Sequence, residues 1–261
     1  FTSHSDPANQ WTAARKGPAF FSYSDNYLVD TDNGVIVDVE ATRSLRQAEV
    51  GSVRTMIDRV RDSFGLLPER LIADTAYGTG AMLDWLDQRR GIAPHIPVVD
   101  KSGRRDGTYE RADFKYEAEA DVYICPSGKE LKQSRRAFTK SREKKPDEDG
   151  MLRYRASKAD CDTCTLKTRC CPKAPARKIF RSIFEPSRDR ARAIAQTTDY
   201  AISCKLRKKV EMLFAHLKRI LGLSRLRLRG PNGARDEFHL AATAQNLRKL
   251  AKLLPVPEVA C

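Results

Sequence analysis

The chain has 261 residues, 48 lysines and arginines against 34 aspartates and glutamates, a net charge of +14 and a 41% hydrophobic fraction. That is enough apolar material for one large domain or two modest ones, and no run approaches the ~18 apolar residues of a membrane-spanning helix. The positive surplus exceeds what a solvated surface needs, so a polyanionic partner is expected, nucleic acid before any other.

The opening residues do not read as a secretory leader. The first methionine is Met56, so the numbering is expected to begin inside a longer reading frame. Residues 1–19 are polar and aperiodic and read as a loop. FFSYSDNYLVD (20–30) and GVIVDVEAT (34–42) have β composition, and Thr-Asp-Asn-Gly between them predicts a hairpin turn. Residues 47–65 place Val50, Val53, Met56, Ile57, Val60 and Phe64 at helical spacing, with Gly65 as the stop. ERLIADTAYG then predicts a short strand buried on both faces. Residues 80–91 read as a helix carrying Met82, Leu83, Trp85 and Leu86, and residues 92–99 as a strand that two prolines push toward a sheet edge. This β-β-α-β-α-β order predicts an α/β sheet layered with helices.

Residues 100–199 change character. They are charged, glycine-dotted and poor in apolar residues, and read as an insertion without a core of its own. Within it, 132–150 reads as a mobile loop or hairpin tip, and DVYICPSGKEL alternates like an exposed strand. From residue 200 the chain is helical again. Val210, Leu213, Phe214, Leu217 and Leu221 form one stripe up to Gly222, and a last amphipathic helix spans 234–254 before Pro255.

Asp74 stands at the carboxyl end of its strand, the edge at which open α/β sheets place ligands. A carboxylate there can bind a metal, act as a base or cap the helix that follows. On the 200–222 helix, Cys204, Arg207, Glu211 and Lys218 share an arc of about 60° beside the apolar stripe. Glu211 therefore sits between core and cleft, although an Arg207–Glu211 ion pair one turn apart explains the same pattern. Lys205, Lys208, Lys209, Arg219, Arg225, Arg227 and Arg229 make the neighbouring surface strongly positive, suited to salt-sensitive phosphate contacts. His95 ends its strand near the same edge and reads equally as a hydrogen-bonded structural residue or a functional one.

Of seven cysteines, Cys161-x2-Cys164 followed by Cys170-Cys171 has zinc-ligand spacing, and Cys125 in a Cys-Pro-Ser-Gly turn supplies a fourth thiol. Unligated thiols or a redox pair fit the same spacing.

Arg207-x3-Glu211-x6-Lys218, the upstream LIADTAYG, the insert CPSGKEL to YRASKADCDTCTLKTRCCP and the ending LRLRGPNGARDEFHLAATAQNLRKLAKLL together resemble DDE-type bacterial insertion-sequence transposases. The resemblance implies an α/β, ribonuclease-H-like mixed sheet flanked by helices, with a polar cysteine-containing insertion before the last catalytic helix. The core would begin in 1–99, break for the insertion at 100–199 and return in 200–261. Asp74 becomes the second acid and Glu211 the third, with Arg207 and Lys218 as basic partners. It implies Mg²⁺ or Mn²⁺ on Asp74 and Glu211, and zinc on Cys125, Cys161, Cys164 and Cys170, with 170 preferred to 171. The implied substrate is double-stranded DNA, at transposon ends and target. The implied protein is a homodimer in the bacterial cytoplasm, at the nucleoid and away from membranes. The reaction would be phosphodiester cleavage followed by strand transfer, both in-line displacements that carboxylate-held metal ions assist.

Two features depart from the family pattern. Cys204 stands where a tyrosine is usual, with Tyr200 one turn earlier. The first acid has no strand in residues 1–19, and Asp30 and Asp38 fall on the following strands. It is therefore expected upstream of Phe1, which would leave this stretch inactive by itself. A non-catalytic DNA-binding remnant and a zinc-ribbon-like interaction module are the alternatives.

Overall fold

The structure, a computed structural model, describes residues 1–13, 17–100, 103–104, 106–133, 146–148 and 150–254. Its elements in chain order begin with β1 (Gln10–Ala13), β2 (Ala19–Asp30), β3 (Val35–Arg43), α1 (Arg46–Phe64) and β4 (Arg70–Ile72). They continue with α2 (Gly80–Asp84), β5 (Ala93–His95), β6 (Lys115–Glu117), β7 (Val122–Ile124), β8 (Glu130–Leu131) and β9 (Met151–Arg155). The remainder are α3 (Lys158–Asp162), α4 (Lys167–Cys170), β10 (Lys178–Ser182), α5 (Glu185–Ile194), α6 (Thr198–Arg219) and α7 (Gly230–Leu253). The chain forms two compact units: residues 1–77, 91–96 and 194–261, and residues 78–90 and 97–193. No helix among the described residues is long and apolar enough to cross a membrane.

In the first unit, β1, β2 and β3 form an antiparallel sheet, and β4 and β5 a separate parallel pair. The hairpin between β2 and β3 closes at Gly34, whose φ of 68° suits a residue without a side chain. Gly65, also left-handed, ends α1 by donating to the Arg61 carbonyl. α1 buries Val53, Met56, Ile57 and Val60 of the face its spacing predicts, while Phe64 at its end is exposed. α7 lays Ala234, Phe238 and Ala242, one turn apart, against Ile36 and Val39 of β3. Its Asn246 amide clamps the Ile36 backbone, accepting from the N–H at 2.9 Å and donating to the carbonyl at 2.7 Å. Burying a side chain such as Phe238 contributes about 1.5–3 kcal/mol.

Three expectations for this unit change. Residues 1–19 are not all loop: β1 pairs with β2, and Asp6 accepts hydrogen bonds from the Tyr23 hydroxyl and the Gly230 amide. β4 is not buried on both faces. Only Leu71 is buried, since β5 is its sole strand partner among the described residues. The expected single mixed sheet is absent among the described residues, because no strand joins the β1–β2–β3 sheet to the β4–β5 pair. The arrangement is mixed α/β.

The second unit corrects the reading of 100–199 as coreless. Phe114, Tyr123, Leu131, Tyr154, Ala156 and Ile179 form a buried cluster of their own. Its centre is aromatic: Tyr154 meets Tyr123 edge-on at 5.1 Å, and the Arg181 guanidinium lies 3.8 Å from the Tyr116 ring centre. The Tyr154 hydroxyl is satisfied by Asp121 at 2.5 Å and Gln133 at 2.8 Å. β7, read as exposed, buries Val122 and Tyr123 between β6 and β8. Buried Glu185 is held by Arg111, Arg188 and Arg192 at 2.9, 3.1 and 2.7 Å. Aromatic and ionic contacts replace the aliphatic periodicity that marks a core in sequence. Most of the loop predicted at 132–150 lies outside the described residues.

Candidate functional site

β4 delivers Asp74 to the surface just past its last residue. The carboxylate Oδ1 accepts from the Ala76 amide at 2.7 Å, and the Asp74 carbonyl accepts from Tyr77 N–H at 3.2 Å, starting the 3₁₀ turn Thr75–Tyr77. Asp74 thus opens this short turn and does not cap the helix that follows, whose N-cap is Thr79. Asp74 uses one carboxylate oxygen and leaves the other without a hydrogen-bond partner among the described residues. Tyr77 follows, its hydroxyl held protonated by burial and then by the charges of Asp74 and Glu49.

α6 reaches the same strand end. Thr197 caps it by accepting from the Tyr200 amide at 3.2 Å. One turn on, buried Ser203 lies 2.8 Å from His95 Nδ1 at the end of β5. His95 therefore has a structural hydrogen bond, and burial, reinforced by Arg70, keeps its pKa below the usual histidine value. Tyr200 borders Cys204; burial and then that thiol raise its pKa. The next turn carries Arg207, whose guanidinium donates to the Ala73 carbonyl at 3.4 Å, beside Asp74.

The simple alternative for this helix, an Arg207–Glu211 ion pair, is not formed. Arg207 turns to β4, and Glu211 is exposed, with no hydrogen bond or ion pair to any described residue. Lys218 is likewise exposed, two turns after Glu211. Lys205, Lys208, Lys209, Arg219, Arg225, Arg227 and Arg229 are all exposed, none in an ion pair with a described residue.

Asp74 and Glu211 are hard oxygen donors of the kind a divalent cation takes. Among the described residues, however, no three His, Cys, Asp or Glu side chains are arranged to hold a metal ion. The same holds for the cysteines. Cys161, Cys170 and Cys171 are buried in the aromatic core of the second unit, with Cys125 against them and Cys164 half-buried. Burial, then neighbouring Cys171, pushes the Cys170 thiol up to about 12; burial and then Cys161 also raise Cys171. Cys171 neighbours both Cys161 and Cys170. Cys125 alone has a ligand-like turn: Gly128 is left-handed, and the Lys129 amide donates to Sγ at 3.3 Å.

Sequence reasoning missed Asp25, midway along β2. Both its carboxylate oxygens are enclosed, and no described group donates a hydrogen bond to either. The Tyr27 hydroxyl is nearby, but its geometry falls short of a bond, and the Tyr27 ring stacks on Phe214 of α6 at 4.9 Å. An acid flanked by tyrosines within a strand was the available signal.

A family model described as "Transposase DDE domain" matches residues 124–251, just under half of the chain. No curated protein and no solved structure matches it. The matched span includes the cysteine cluster and the helix bearing Arg207, Glu211 and Lys218, while Asp74 precedes it. Residues 124–251 are thus similar to the transposase DDE domain family.

Proposed function

We propose that the chain is part of a DNA transposase that cleaves phosphodiester bonds and transfers strands, with Asp74 and Glu211 as two of its metal-binding acids. The family match implies, in general terms, a transposition enzyme acting on DNA with a divalent metal. The observation that carries the finer reading is the Arg207–Ala73 contact, which brings the Glu211 helix to the strand end bearing Asp74. When bound, the cation would help activate the attacking oxygen and stabilise the leaving one. This chain's residues would orient the substrate: exposed Lys218 and the Arg225–Arg229 run meet phosphates. Arg207, tethered to the β4 end, fixes the height of α6.

The test compares Asp74→Ala and Glu211→Ala with the parent, each carried in the complete transposase, in Mg²⁺-dependent DNA end cleavage. Losing an acid that ligates metal should cost more than the roughly 10–100-fold typical of outer-shell partners. Duplex binding should persist, because the exposed cations remain. Unimpaired cleavage in both variants overturns the proposal. A parent that binds DNA but never cleaves it is the outcome expected of a non-catalytic binding remnant, the reading favoured by the lack of a three-acid cluster among the described residues.

A further inference from the structure

At one end of the antiparallel sheet of the first unit, large aromatic rings stand in solvent. Trp11 of β1 lies directly opposite Phe21 of β2, and the two rings meet edge-on at 4.8 Å. The Phe1 ring lies 5.3 Å from Trp11. Even so, Trp11 stays 38% exposed. Two residues along β2, on the same face, comes Tyr23, which packs at the margin of the apolar cluster beneath α7.

Cations border this row. Arg43 of β3 stands opposite Tyr23 in register, and its charge acts on the Tyr23 hydroxyl. That hydroxyl donates to Asp6 at 2.9 Å, and the other Asp6 oxygen accepts from the Gly230 amide at 2.8 Å, next to Arg229. The Arg229 charge also acts on Asp6. Asp6 is thus a buried carboxylate already spent on two donors. Arg43 and Arg229 are exposed, and neither forms an ion pair with a described residue.

Aromatic rings left in water forgo the gain of burial, and an apolar patch rimmed by charge marks an interaction site. The occupant must offer flat surfaces to the rings and negative charge to the two arginines. An aliphatic surface meets the first need and leaves the arginines unpaired. A blunt duplex meets the second, but keeps its bases stacked inside. An unpaired strand supplies both, because its bases present open π faces and each carries a phosphate.

We propose that the Trp11–Phe21 face binds unpaired bases of a DNA strand, with Arg43 and Arg229 on the flanking phosphates. Arg229 ends the exposed Arg225–Arg229 run, so this aromatic platform extends a surface already suited to phosphates. The inference rests on the DNA-handling function proposed above, and names where an opened strand is held.

The test titrates the full chain with a short oligothymidylate strand, with a blunt duplex of the same length and with an abasic strand. Trp11 is the reporter, because Trp85 is buried. The thymidylate strand should quench Trp11 fluorescence, and the other two should not. Trp11→Ala should weaken strand binding about tenfold and leave duplex binding unchanged, whereas Trp11→Phe should keep most of it. Arg43→Ala/Arg229→Ala, at exposed positions away from the rings, should also weaken strand binding about tenfold. Its free-protein Trp11 emission should match the parent, so this second variant guards against misfolding of the first. An unquenched Trp11 at saturating strand overturns the proposal. So does equal quenching by the abasic strand or the duplex, or unchanged strand binding by either variant. A parent dimer that Trp11→Ala separates in sedimentation also overturns it, since a second copy would then cover the rings. Trp11 quenching in a complete transposase whose cleavage survives Asp74→Ala would keep the platform and refute the catalytic reading. Cleavage lost with Asp74→Ala but no Trp11 response would refute the platform alone.

Discussion

Replacing Asp25 by asparagine tests how the first unit tolerates a charge in β2. Burial pushes the Asp25 carboxyl up from 3.8 to about 7, against a small opposing pull from the Tyr27 hydroxyl. The folded state then keeps a proton that the unfolded chain releases, so stability falls as pH rises from about 4 to about 7. At ~1.4 kcal/mol per pH unit, a rise of this size is worth about 4 kcal/mol above pH 7, as an order of magnitude. Asparagine keeps the shape and cannot ionise. Asp25→Asn should therefore match the parent near pH 4 and exceed it by about 2–4 kcal/mol at pH 8. Urea unfolding at both pH values checks this, followed by fluorescence of Trp11 on the strand paired with β2. A parent–variant difference that is the same at both pH values would refute the reasoning, because only ionisation makes it pH-dependent.

Ser203→Ala removes the partner of His95 Nδ1 inside the first unit and should lower stability by about 1–3 kcal/mol in thermal melts at pH 7.5. His95 has a depressed folded pKa, so its neutral form contributes stability above about 6.5 that is lost as pH falls below that value; parent melts at pH 7.5 and 5.5 should show the decline. Glu185→Ala strands three arginines in the second unit and should cost about 3–5 kcal/mol by denaturant unfolding. Burial alone would raise the Glu185 carboxyl, but Arg111 and Arg192 outweigh it and hold it low. The stabilisation is thus present above about 4.5 and disappears as pH falls through the lower folded value, which acid titration of the parent would show.

Much of the first unit was legible because each local signal there has a short-range cause. The Asp-Asn-Gly turn, the Gly65 stop and the spacing of Val53, Met56, Ile57 and Val60 depend on neighbours within one or two turns of the chain. Residues 1–19 misled because β1 is held by pairing with β2 and by Asp6 reaching Gly230, neither visible as periodicity. The 100–199 block misled differently: its core is built from tyrosines, cysteines and arginine–aromatic contacts, which a count of aliphatic residues scores as surface.

The same division runs through the candidate site. Sequence alone determined which residue types could carry the chemistry, and it placed Arg207, Glu211 and Lys218 along one side of a helix, because helical geometry is local. Only the tertiary structure decided that Arg207 spans to Ala73 instead of pairing with Glu211, and that buried Ser203 meets His95. Those outcomes depend on which distant groups offer an acceptor or a donor, and such competition is settled only when segments 134 and 108 residues apart pack together.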